Sequence, residues 1–168
     1  ILVADENVKN KKNLAAKTEL PFYVYKDGEE SPYNPTGFMG NYKALSVNMS
    51  SKEEVQSGTT AIKISYKDDH DWYGIGFVDP KNDWGDVAGG YEIIGAKTFS
   101  FWAKASTPLT ATIGFGLIGN DKPFPDSTKK SIEVKLTTKW KKYTINVKKL
   151  DLSCIRSGLV LFSSGQGT

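Results

Sequence analysis

Nine short runs of this chain read as β-strands, several of them alternating apolar and polar side chains with a period of two, and turn residues stand between them. They are FYVYK (22–26), ALSVNM (44–49), TTAIKISY (59–66), DWYGIGFV (71–78), KTFSFWAK (97–104), TATIGFGL (110–117), SIEVKLT (131–137), KKYTINV (141–147) and GLVLFSS (158–164). Successive side chains of a strand point to opposite faces, so each run can bury one face, and no segment carries a sustained helical period. The pattern predicts an all-β fold. Core positions follow from the alternation: Ile62, Ile64 and Tyr66; Phe99, Phe101 and Ala103; Ala111, Ile113 and Phe115; Ile132, Val134 and Leu136; Tyr143, Ile145 and Val147. Nine short half-buried strands are best satisfied by two packed antiparallel sheets, a β-sandwich of jelly-roll type, with a single barrel as the lesser alternative.

The 168 residues suffice for one domain with its own core. Residues 1–18 are polar, lysine-rich and weakly periodic, which predicts a mobile leader or linker with a short helical turn at NLAAK, followed by a sandwich over 19–168. A start without methionine suggests processing, and no signal peptide is visible. No apolar run approaches the roughly 18 residues that a spanning helix needs.

The net charge is +3, and of the twenty-two basic residues only Arg156 is an arginine. Arginine supplies the planar fork that reads phosphates and base edges, so this imbalance argues against nucleic acid as a partner. Lysine pairs such as Lys129-Lys130, Lys141-Lys142 and Lys148-Lys149 suit the solubility of exposed strand faces and edges. A single cysteine, Cys154, forms no internal disulfide and reads as a small buried hydrophobe.

Three strands depart from an ordinary solvent face. Their positions opposite the core hold Trp72, Gly74 and Gly76; Ser100 and Trp102; and Thr112, Gly114 and Gly116, whereas the run 131–137 presents Ser131, Glu133 and Lys135 there. Tryptophans among glycines and small hydroxyl residues predict room above a sheet with flat apolar platforms in it, a surface that could accept a sugar ring. The competing reading is a loop that covers this face. A second aromatic candidate is Trp84 in the loop DPKNDWGDVAGGYEIIG, where Asn82, Asp83 and Asp86 either bond sugar hydroxyls or make the turns their side chains favour. Tyr91 is assigned to the core, Trp140 to the closing end of a core, Phe124 to a proline-flanked rim contact and Asp126 to a turn cap.

Catalysis needs a constellation, and the chain has one histidine, His70, in the charged loop KDDHD. No G-x-S-x-G is present, one Cys and one His do not make a zinc shell, and the acidic residues select no glycosidase pair by spacing. The acidic loops KDGEES, KDDHD and NDWGD are plausible calcium donors, though none has EF-hand spacing.

The order PFYVYKDG, NPTGFMGNY, TTAIKISY, DWYGIGFVDPKNDWGDVAGGYEIIGAKTFSFWAKA, FPDS and VKLTTKWKKYTINVKKLDLS resembles bacterial carbohydrate-binding-module-like domains of the galactose-binding-like jelly-roll superfamily. The resemblance covers residues 21 to about 164. It implies a non-catalytic, extracellular or cell-surface domain, often appended to a glycoside hydrolase, that holds an enzyme or cell near polysaccharide. The sheet-face version of such a site selects Trp72 and Trp102, and the loop version selects Trp84, Asn82 and Asp86. Relatives often hold a structural calcium through an aspartate in a final strand; this chain ends LFSSGQGT, suggesting truncation or a strand supplied differently, and Asp27 is the metal candidate that remains. The alternative is a structural or protein-interaction β-sandwich of a larger surface protein.

Overall fold

The computed structural model describes residues 14–28 and 30–165; the expectations for residues 1–13 lie outside them. Eleven strands follow one another: β1 (Ala16–Lys17), β2 (Asn34–Gly40), β3 (Leu45–Ser51), β4 (Ala61–Tyr66), β5 (Trp72–Val78), β6 (Tyr91–Glu92), β7 (Thr98–Ala103), β8 (Leu109–Phe115), β9 (Lys130–Leu136), β10 (Lys141–Asn146) and β11 (Ser157–Ser164). The order β2-β5-β11-β8-β9 makes a five-stranded antiparallel sheet. Two antiparallel pairs, β3-β4 and β7-β10, form the opposing layer. The chain crosses between layers at β2 to β3, β4 to β5, β5 to β7 by way of β6, β7 to β8, β9 to β10 and β10 to β11, as in a jelly-roll sandwich. No helix among the described residues is long and apolar enough to cross a membrane.

The period-two alternation determines which faces meet. Tyr73, Ile75 and Phe77 of β5 pack against Leu45, Val47, Ile62, Ile64 and Tyr66, while Ala111, Ile113, Val134 and Leu136 pack against Phe101, Ala103 and Tyr143. Ile75 and Phe77 are fully buried, which is worth about 1.5–3 kcal/mol for each side chain.

Three local expectations change. Residues 22–26 form no strand, although Phe22 and Val24 still pack on the core. The segment Asn34–Gly40 pairs as an edge strand despite Pro35, because the register shifts between Asn34 and Gly37 and an edge needs donors on one side only. The helical turn at NLAAK also gives way: β1 runs parallel to β6, and the Ala16 amide donates to Gly90 O at 2.9 Å.

Candidate functional site

The outer face of the five-stranded sheet is built by strict alternation. Trp72, Gly74 and Gly76 of β5 stand beside Val160, Phe162 and Ser164 of β11, with Phe162 opposite both Gly74 and Thr112 and Ser164 opposite Trp72. The expected room above the glycines is taken by neighbouring side chains. A Cβ on Gly74 would stand 2.8 Å from Phe162 Cδ1 and 3.1 Å from Met39 Cε, and one on Gly76 would stand 2.7 Å from Leu117 Cδ2. Leu117 thus reaches over the sheet from the segment after β8, and Val160 beside it is only 1% exposed. Gly114 and Gly116 are closed by backbone of the neighbouring chain at 128–131. The glycines therefore level the face rather than hollow it.

What stays open lies at the end of β5. Trp72 is 54% exposed, its indole resting against Gly40 of the edge strand. A shallow depression beside it is lined by Trp72, Thr110, Thr112, Phe162, Ser163 and Ser164. Hydroxyls from two adjacent strands thus flank two aromatic rings. The turn leading into Trp72 is tied down: Asn41 N–H donates to Trp72 O at 2.9 Å, and Asn41 Nδ2 donates to Asp68 Oδ2 at 2.7 Å. The His70 amide and Asn41 hold the Asp68 carboxyl below its ordinary pKa.

Trp102 does not share this face. It sits on β7 in the opposing layer, 47% exposed and opposite Lys142 of β10, and points away from the core on which Phe101 and Ala103 pack. The expectation of one sheet face carrying both tryptophans is corrected here: alternation fixes the side of each strand that faces out but not the sheet to which the strand belongs.

Trp84 is half-buried in the loop after β5, about 20 Å of strand from Trp72 at roughly 3.3 Å per residue. That loop is rigidly held. Asp83 Oδ1 accepts from Gly85 N–H at 2.9 Å and from Arg156 Nη2 at 2.5 Å, and Asp83 Oδ2 accepts from the Asp86 and Val87 amides. Burial works against the Asp83 carboxylate, but these donors outweigh it and keep its pKa below the ordinary value. Arg156, wholly buried, also donates from Nη1 to Val87 O and Phe124 O and from Nε and Nη2 to Asp79 O. Asn82 is exposed at φ 59°, a turn-making conformation, and exposed Asp86 meets Lys122 Nζ at 3.3 Å. Asp126 does more than cap a turn: it is buried and accepts from five donors on residues 117, 118, 156 and 157.

Asp27 does not fit a cation site. Its two oxygens accept from Gly28 N–H, from both Thr59 groups and from both Thr60 groups, at 2.6–3.1 Å. A calcium ion needs oxygen ligands where this carboxylate meets N–H and O–H donors. The Thr60 hydroxyl first, then the Thr59 amide, hold its pKa well below the usual carboxylate range. Asp83 in NDWGD is surrounded by donors in the same way. His70 is exposed, against Asp69, with its amide on Asp68 Oδ1 at 3.0 Å, in a solvated turn.

Phe162, Ser163 and Ser164 were not selected by sequence. In GLVLFSS both faces are largely apolar, so the alternation that exposes Phe162 on the Trp72 side carries no polar marker.

No protein-family model matches the chain, and no curated protein matches it in sequence. Among solved structures, a carbohydrate-binding module, TmCBM61 in complex with β-1,4-galactotriose, matches with a TM-score of 0.41 and 18% identity, over 82% of this chain and 88% of that one.

Proposed function

We propose that this domain is a non-catalytic carbohydrate-binding module whose site is the Trp72 depression, and that it holds a parent enzyme or a cell surface, outside the cell, to polysaccharide. The observation that carries the reading is an indole more than half exposed beside Phe162, with Thr112 and Ser164 on the adjoining strands. Sugar C–H groups lie on an aromatic plane while neighbouring hydroxyls exchange hydrogen bonds with those of the ring. The loop residues Trp84, Asn82 and Asp86 rank behind it, since Trp84 is half-buried and Asp86 is paired with Lys122. Non-catalytic action is supported by the donors around Asp27, Asp83 and Asp126, which hold these carboxylates in structural roles.

Native gel electrophoresis through neutral β-glucan, xylan, mannan or galactan tests the reading. The domain is expected to be slowed by at least one polymer, Trp72→Ala to run freely in it, and Trp84→Ala to remain slowed. No retardation in any neutral polymer would overturn the assignment and favour a protein-contact role for the exposed indole.

A further inference from the structure

We propose a second, separate binding surface: the outer face of β7-β10, centred on Trp102 and Lys142, takes an anionic polysaccharide, with sugar carboxylates or sulfates as the recognised groups. The inference goes beyond the Trp72 reading and does not rest on it.

Charge is unevenly distributed along the chain. Residues 129–149 contain eight lysines, at 129, 130, 135, 139, 141, 142, 148 and 149, against a single acidic residue, Glu133. All eight lysines are exposed, and none takes part in an ion pair among the described residues. Solubility of an edge explains lysines but leaves an exposed mid-strand tryptophan among them without a role.

The register collects these features. Lys142 lies directly opposite Trp102, and Ser100 directly opposite Thr144, so one face presents an indole, an ammonium and two hydroxyls on neighbouring strands. Paired positions of this kind bring side chains within about 5.5 Å of each other at Cβ. Beyond the end of β7, the Ala105 amide donates to Thr137 O at 2.9 Å, which brings the turn carrying Lys139 alongside. Lys104, the residue after β7, is paired with Glu54 at 2.6 Å, leaving Lys142 as the unpaired cation directly across from the indole.

The kind of cation selects the ligand. The chain's one arginine is wholly buried, so the surface offers ammonium groups and no guanidinium forks. Point charges spaced along strands suit carboxylates or sulfates repeated along a sugar chain, and an indole accepts the ring between them. Nucleic acid would use the same charges but gains most from arginine.

The test measures binding of polygalacturonate and of its fully methyl-esterified, neutral form by biolayer interferometry. Binding of the charged polymer is expected to be about tenfold tighter than that of the ester and to weaken severalfold between about 0.05 and 0.3 M NaCl, as the screening length shortens. Trp102→Ala and Lys142→Glu are each expected to weaken it about fivefold or more. Lys43→Glu, an equal charge change on the exposed turn after β2, is expected to leave it intact. Equal binding of both polymers, equal loss in Lys43→Glu, or equally tight binding of poly(U) would each overturn the proposal. Loss of neutral-polymer retardation in Trp72→Ala tests the other site alone, so the two readings fail separately.

Discussion

Arg156 Nη2 and Asp83 Oδ1 meet at 2.5 Å beneath the loop that carries Trp84. The pair is buried, and the remaining guanidinium donors reach the carbonyls of Asp79, Val87 and Phe124, so one side chain joins the start of β11 to two loops. Lysine has a point charge and cannot span those four partners. Arg156→Lys is expected to cost about 3 kcal/mol, the scale for breaking a buried pair. For a domain of this length that lowers Tm by about 6–12 °C. A Tm within about 2 °C of wild type in a calorimetric scan would show that other contacts hold the loops.

Trp72 and Phe162 flank the same depression but differ in what lies under them. Trp72 rests against Gly40 at the edge with more than half its surface in water, whereas Phe162 fills the hollow over Gly74. Trp72→Ala is therefore expected to abolish glycan retention with a stability change of about 0.5 kcal/mol or less, in the range of surface substitutions. Phe162→Ala is expected to weaken retention and also to cost roughly 2 kcal/mol, because a half-covered aromatic leaves a partial cavity. Urea titrations run beside the binding gels separate the two; equal stability losses would refute the distinction.

Alternation made the core sides of β4, β7, β8, β9 and β10 legible, since each strand there meets the opposite layer on one face and solvent on the other. It could not show β2, where NPTGFMG carries no alternation and only the long-range pairing with β5 makes it a strand. The same limit governs the site. Trp72 and Trp102 were visible as outward residues, but their separation onto opposite layers depends on strand order, a long-range property. The glycines beside Trp72 read as room above the sheet, and that room is filled by Phe162, Met39 and Leu117, which approach from segments that local sequence does not link to β5.

Asp126 anchors the segment that brings Leu117 over the sheet. Its Oδ2 accepts from the Leu117 and Ile118 amides and from Ser157 Oγ, and its Oδ1 from the Arg156 and Ser157 amides. Asp126→Asn turns one of these oxygens into an amide nitrogen facing donors and leaves buried N–H groups unpaired, for an expected loss of about 3 kcal/mol. Ser157→Ala removes a single hydroxyl bond, for about 1 kcal/mol. Chemical denaturation ranks the two, and a Ser157→Ala loss equal to that of Asp126→Asn would show that the carboxylate is not the centre of this cluster.

Asp27 links stability to acid. Hydrogen bonds from Thr60 and Thr59 favour its charged form, so its folded pKa lies well below the ordinary 3.8. A carboxyl depressed on folding adds stability above its unfolded pKa and loses it as pH falls through the folded value. Wild type is accordingly expected to melt higher than Asp27→Asn at neutral pH, with the gap narrowing below about pH 4 as the unfolded and then the folded carboxyl protonates. Because the donors here are protein groups, EDTA is expected to leave both melting temperatures unchanged. Thermal scans from about pH 7 to about pH 2 decide the matter: a gap independent of pH would remove the ionised carboxylate from the account, and a fall in Tm on chelation would return a metal to it.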